Sequence, residues 1–223
     1  MNPKLEEICK IAYSYKETVY FTYNITRELV RKTTDGYFIE CGVGAGAQIA
    51  AMKLAMDDEG GHFDIYGFDS FEGIPLAGPN DLEQPGIGKI THDTSLPESE
   101  RLVSSGITVH SADDVRRNIK KFGLGGPMFL IRGWFQNTLQ LYKKTLTPIV
   151  LLRLDGDLYE STICCLENLY DNVVEGGVVI IDDYQLEGAQ KAVHDFFDSR
   201  GINPVLEEIE GSGGVKYFYK QSL

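Results

Sequence analysis

The sequence predicts a single α/β domain: a doubly wound, mostly parallel, seven-stranded sheet that ends in an antiparallel hairpin. Three observations predict it. Short apolar runs without alternation recur along the chain, separated by helical patterns, as suits strands buried on both faces of a parallel sheet. A glycine-rich turn follows the first of these runs and opens a helix-forming stretch. Near the end, two β-type runs at 205–209 and 215–219 flank Gly211, Ser212, Gly213 and Gly214.

The 223 residues suit one domain with a well-buried core. Residues 1–35 read as an N-terminal helical cap, since Leu5, Ile8, Ile11 and Ala12, then Tyr20, Ile25, Leu29 and Val30, recur at helical spacing. Strands are expected at 37–41, 64–68, 128–131, 149–154 and 178–181. A short apolar run at 107–110 precedes an expected helix at 112–122. Residues 72–100, rich in Pro, Gly and Asp, read as a long loop over the substrate, because loops of that length in compact domains usually bind or cover something.

Composition excludes several classes. A net charge of -12 works against a nucleic-acid partner, whose binding is driven by Lys and Arg releasing counterions. No apolar run approaches bilayer length, so no membrane partner is expected. The start of the chain lacks the apolar core of a signal peptide, which predicts a cytoplasmic location. Cys9, Cys41, Cys164 and Cys165 show no metal or redox spacing and read as reduced thiols.

The turn Gly42-Val43-Gly44-Ala45-Gly46 follows the first strand, where a nucleotide-binding turn belongs. Its G-x-G-x-G spacing departs from the dinucleotide fingerprint, and Glu40 sits where it could face the cationic amino group of a methionine moiety. Asp69, ending the second strand, can chelate two ribose hydroxyls. A turn with purely structural glycines is the alternative. Asp155 and Asp157 follow the fourth strand, and Asp182 and Asp183 the fifth, so four carboxylates should meet at the sheet edge. Unneutralised, they would raise one another's pKa values. A hard cation such as Mg²⁺ is the natural remedy, and it would orient and acidify a substrate hydroxyl.

The stretches Tyr37-Phe38-Ile39-Glu40-Cys41-Gly42-Val43, Asp69-Ser70-Phe71-Glu72-Gly73-Ile74-Pro75, Gly133-Trp134-Phe135-Gln136-Asn137-Thr138-Leu139, Leu152-Arg153-Leu154-Asp155-Gly156-Asp157-Leu158-Tyr159-Glu160-Ser161-Thr162 and Gly176-Gly177-Val178-Val179-Ile180-Ile181-Asp182-Asp183-Tyr184 resemble the macrocin-type O-methyltransferases, which methylate deoxysugars on macrolide and aminocoumarin antibiotics. The resemblance implies a Rossmann-like class I methyltransferase fold using S-adenosylmethionine, in which a sheet closed by an antiparallel hairpin is usual. It implies that Asp155, Asp182 and Asp183 hold Mg²⁺ and that Asp157 is the general base. It places Glu40, Gly42, Gly44, Asp69 and Ser70 at the methionine and ribose parts of the cofactor, and Gly133 and Trp134 near the adenine. The implied partner is a small-molecule hydroxyl acceptor, a sugar or deoxysugar of a natural product, with a catechol-like or other vicinal diol as the alternative. A homo-oligomer is also implied. Residues 76–100 match no part of the family pattern, which leaves the acceptor open.

Other activities fit less well. A nicotinamide-dependent oxidoreductase shares the glycine turn and Asp69 but has no use for the acidic cluster. A serine hydrolase would need a G-x-S-x-G elbow, which does not occur. A protein that only binds cofactor would not need the four carboxylates.

Overall fold

A computed structural model of the chain describes residues 2–81 and 97–221. The remainder of the expected loop at 72–100, His92 included, lies outside the described residues. The sheet comprises β1 (Tyr37–Cys41), β2 (Asp64–Asp69), β3 (Met128–Arg132), β4 (Ile149–Leu154), β5 (Val173–Ile181), β6 (Glu207–Glu208) and β7 (Lys216–Tyr219), in the order β3-β2-β1-β4-β5-β7-β6. The first five are parallel; β7 runs antiparallel to β5, and β6 antiparallel to β7.

The chain therefore leaves β1 outward through β2 and β3, then returns to β4 on the other flank. That reversal opens a crevice at the carboxyl ends of β1 and β4, where ligands of doubly wound sheets bind. The expected hairpin is present, though β6 is only two residues long. Its turn is held by Val215 N–H donating to Ser212 Oγ at 3.1 Å.

The helices are α1 (Pro3–Cys9), α2 (Lys16–Lys32), α3 (Ala47–Glu59), α4 (Glu98–Arg101), α5 (Ala112–Lys121), α6 (Phe135–Tyr142), α7 (Tyr159–Leu169) and α8 (Glu187–Asp198). Strand residues alternate between two apolar cores. Phe38, Ile65, Leu151, Val178 and Ile180 pack with α1, α2, α3 and α5, whereas Ile39, Phe68, Leu152, Val179 and Ile181 pack with α6, α7 and α8. Helix α3 is buried on every side from Ala47 to Met56, which explains its lack of a polar face. Lys53 is tolerated there because its Nζ donates to the carbonyls of Gly125, Gly126 and Pro127 at 2.6–3.2 Å. The apolar run at 107–110 forms no strand; Thr108 has φ 55, a left-handed conformation that breaks extended structure.

Candidate active site

Cys41, Leu154 and Ile181 are level across β1, β4 and β5, so the next residues, Gly42, Asp155 and Asp182, emerge side by side. Backbone bonds continue the sheet one step further: Asp155 N–H donates to Cys41 O, and Asp182 N–H to Leu154 O, both at 2.8 Å. The approach of the two strand ends is so close that a Cβ on Gly42 would lie 1.7 Å from Asp155 O, and its φ is 90. Only glycine fits there.

Asp69 braces the turn. Its Oδ2 accepts N–H bonds from Val43 at 2.7 Å and Gly44 at 3.2 Å, and its Oδ1 accepts one from Phe71 at 2.6 Å. Burial raises its pKa while these three donors oppose the rise. Ser70 Oγ donates to Gly73 O and accepts from Glu72 N–H, both at 3.0 Å, which shapes the chain leaving β2. Gly133 N–H donates to Asp69 O at 2.9 Å, joining the end of β3 to that of β2, and Trp134 follows as the N-cap residue of α6.

A cavity of about 130 Å³, open at its mouth, lies over these strand ends. Of the expected site residues, Gly42, Gly44, Asp69, Ser70, Trp134, Asp155 and Asp157 form its wall. Glu40, Gly133, Asp182 and Asp183 lie behind that wall. Glu40 is only 1% exposed and shares a strand face with Phe38.

Oxygens of Asp155, Asp157 and Asp183 lie within 4.8 Å of one another. Asp157 has φ 59, and its N–H donates to Asp183 Oδ2 at 2.8 Å. Burial first, then the neighbouring carboxylates, pushes Asp157 up to about 8 and Asp183 well above the carboxylate range. Asp182 rises to about 7, chiefly through burial, against the pull of Arg153. Arg153 is fully buried: its Nη1 donates to Glu40 Oε1 at 3.1 Å and to Asp155 Oδ2 at 2.7 Å, and its Nη2 to Asp182 Oδ1 at 2.5 Å. Burial would lower its pKa, but Asp182, Asp155 and Glu40 together raise it.

The crowded carboxylates of Asp155, Asp157 and Asp183 form an all-oxygen donor set that fits a hard divalent cation. Sequence reasoning missed Tyr13 and Thr108, which also line the cavity. Tyr13 sits between α1 and α2, bonds His110 Nε2 through its hydroxyl at 2.6 Å, and is 69% exposed. The exposed tyrosine offered no sequence signal, since its place depends on how the N-terminal helices fold back over α3.

The sequence profile of the macrocin-O-methyltransferase (TylF) family matches residues 19–220. The chain belongs to that family. Among curated members, this TylF-family chain is 33% identical over 180 residues to an 8-demethyl-8-(2,3-dimethoxy-α-L-rhamnosyl)-tetracenomycin-C 4'-O-methyltransferase of Streptomyces olivaceus, covering 80% of this chain and 64% of that protein. It is 28% identical over 196 residues to a mycinamicin III 3''-O-methyltransferase of Micromonospora griseorubida, covering 82% of this chain and 69% of the relative. The chain thus spans less than two thirds of the length of the first of these relatives. Among solved structures, the O-methyltransferase NovP superposes with a TM-score of 0.74 at 26% identity, covering 93% of this chain and 81% of NovP. The seven-stranded order with its reversed last strands is thereby that of the TylF family's class I methyltransferase fold. Among the described residues no helix is long and apolar enough to cross a membrane.

Proposed function

We propose that this TylF-family chain transfers the methyl group of S-adenosylmethionine to a sugar hydroxyl of a small natural product, with Mg²⁺ bound among the strand-end carboxylates. The observation that carries the reading is the meeting, on one cavity wall, of the glycine turn braced by Asp69 and the carboxylates Asp155 and Asp157. The name of the Streptomyces olivaceus relative, a 4'-O-methyltransferase of a rhamnosyl-bearing tetracenomycin, supplies the acceptor class.

In this reading Gly42 and Gly44 let the methionine part of the cofactor approach the backbone, Asp69 and Ser70 meet the ribose, and Gly133 and Trp134 border the adenine. Glu40 keeps one buried oxygen, Oε2, without a hydrogen-bond partner, which supports a role toward the cofactor's ammonium group. Asp155, Asp182 and Asp183 are the proposed metal ligands, and the crowding of Asp155 and Asp183 with Asp157 supports a cation there. When bound, S-adenosylmethionine would supply an electrophilic methyl on a sulfonium, and Mg²⁺ would supply a Lewis acid for the acceptor hydroxyl.

Asp157 then takes the hydroxyl proton. Its left-handed backbone, fixed by the bond to Asp183, holds the side chain at the cavity wall. Gly73, Ile74, Pro75 and Thr108 complete the wall and would contact the acceptor. Calorimetric titration with S-adenosylhomocysteine and with NAD tests the cofactor assignment. Binding of S-adenosylhomocysteine is expected; binding of NAD alone would replace methyl transfer with an oxidoreductase reading.

A further inference from the structure

Arg153 occupies the middle of the sheet on β4, level with Glu40 on β1 and Ile180 on β5. It is fully buried, and its guanidinium gathers carboxylates from three adjacent parallel strands: Glu40, Asp155 and Asp182. One positive charge thus faces three negative ones. Folding alone gives little reason for this arrangement, because a buried ion network can usually be replaced by apolar residues without loss of stability. The network also leaves polar atoms stranded, since Arg153 Nε and Glu40 Oε2 are buried without hydrogen-bond partners. Its position explains it better than its contribution to stability does: two of the three carboxylates open the segments that form the proposed cation site.

We propose that Arg153 is the positioning residue of that site, fixing Asp155 and Asp182 so that each turns one oxygen toward the metal, with Glu40 anchoring the guanidinium from β1. The inference rests on the proposed function's divalent cation. Each carboxylate gives one oxygen to the fork, Asp155 Oδ2 and Asp182 Oδ1, so one guanidinium fixes the rotation of both side chains. A planar guanidinium can divide two nitrogens among three acceptors, whereas a lysine ammonium on the same strand offers a single point charge. Because Glu40 immediately precedes the Cys41-Gly42 step, the same fork ties the floor of the cofactor turn to the metal carboxylates. Arg153 touches neither cofactor nor acceptor, being sealed within the sheet.

Charge and geometry predict opposite signs for one substitution, and that makes the test decisive. Arg153→Met removes a positive charge beside the site, so charge alone would tighten binding of a cation. Loss of positioning would weaken it, by roughly the tenfold or more typical of groups that orient metal ligands. The experiment is calorimetric titration of Mg²⁺ into the full chain saturated with S-adenosylhomocysteine, for the unmodified protein and for Arg153→Met and Arg153→Lys, each checked by thermal melting. The expected result is weaker Mg²⁺ binding in both variants, with S-adenosylhomocysteine still bound. Mg²⁺ binding as tight as, or tighter than, that of the unmodified protein in folded Arg153→Met would overturn the proposal while leaving the cation reading intact. If Arg153→Met does not fold, undiminished affinity in Arg153→Lys overturns it equally. Absence of Mg²⁺ binding by the unmodified protein would overturn the cation reading and this inference with it.

Discussion

The backbone N–H of Asp157 donates to Asp183 Oδ2 at 2.8 Å, while Asp157 itself sits at φ 59. The loop after β4 is thereby pinned to the end of β5, and an L-residue is held in a conformation that ordinarily favours glycine or asparagine. Strain of this kind persists where surrounding structure imposes it, and here it lies in the wall of the cavity.

Asp157→Asn separates chemistry from structure. Asparagine accepts a left-handed backbone and keeps the shape, but it cannot take a proton at neutral pH. Turnover is expected to fall by about 10²–10⁴-fold, the usual contribution of a general base. Thermal stability and S-adenosylhomocysteine affinity, read by melting and calorimetry, should hold. Turnover within a few-fold of the unmodified enzyme would remove Asp157 from the mechanism.

Asp69→Asn should loosen the glycine turn. One side of the Asp69 carboxylate accepts from Val43 and Gly44, the other from Phe71. An amide can serve only one side, since its NH₂ would face N–H donors on the other. A loss of roughly 1–3 kcal/mol in urea unfolding is expected for the unsatisfied groups. S-adenosylhomocysteine affinity should drop with it, and unchanged affinity would argue that the turn does not hold the cofactor.

Gly42→Ala should be worse still. Its Cβ would stand 1.7 Å from Asp155 O at a φ of 90. Left-handed strain and overpacking together should lower stability by about 2–5 kcal/mol, measurable by urea denaturation. A variant as stable as the parent would show that β1 and β4 are further apart at their ends than described.

The carboxylates make stability depend on pH. Asp157 and Asp182 are raised to about 8 and about 7, so their contribution is fully present below the unfolded-state value of about 3.9 and is lost as pH rises through 7 to 8. A bound cation favours the ionised forms and reverses that loss. The Tm gained on adding Mg²⁺ should therefore grow between pH 5 and pH 8.5, as followed by thermal melts with and without chelator. A gain independent of pH would contradict the raised values.

Much of this was legible in the sequence because it rests on local rules. The unalternated strands, the glycine turn and the Gly211 to Gly214 linker fixed the layers and the reversed last strand, all of which the structure contains. The strand-end positions of Asp69, Asp155 and Asp182 followed from the same runs. Less was legible where partners are distant in sequence. The side chain of Glu40 pairs with Arg153, 113 residues away, in a buried network that depends on strand order. Tyr13 reaches the cavity only because α1 and α2 pack on α3, and the left-handed Thr108 departs from what a β-branched residue suggests.

The most direct test of the account is mass-spectrometric detection of methyl transfer from S-adenosylmethionine to glycosides bearing free sugar hydroxyls, run with Mg²⁺ and again with excess chelator. The account predicts a methylated sugar and stoichiometric S-adenosylhomocysteine with Mg²⁺, and neither once the cation is removed. Methyl transfer that proceeds undiminished in chelator, or transfer confined to catechol-type acceptors that leaves every sugar untouched, would contradict it.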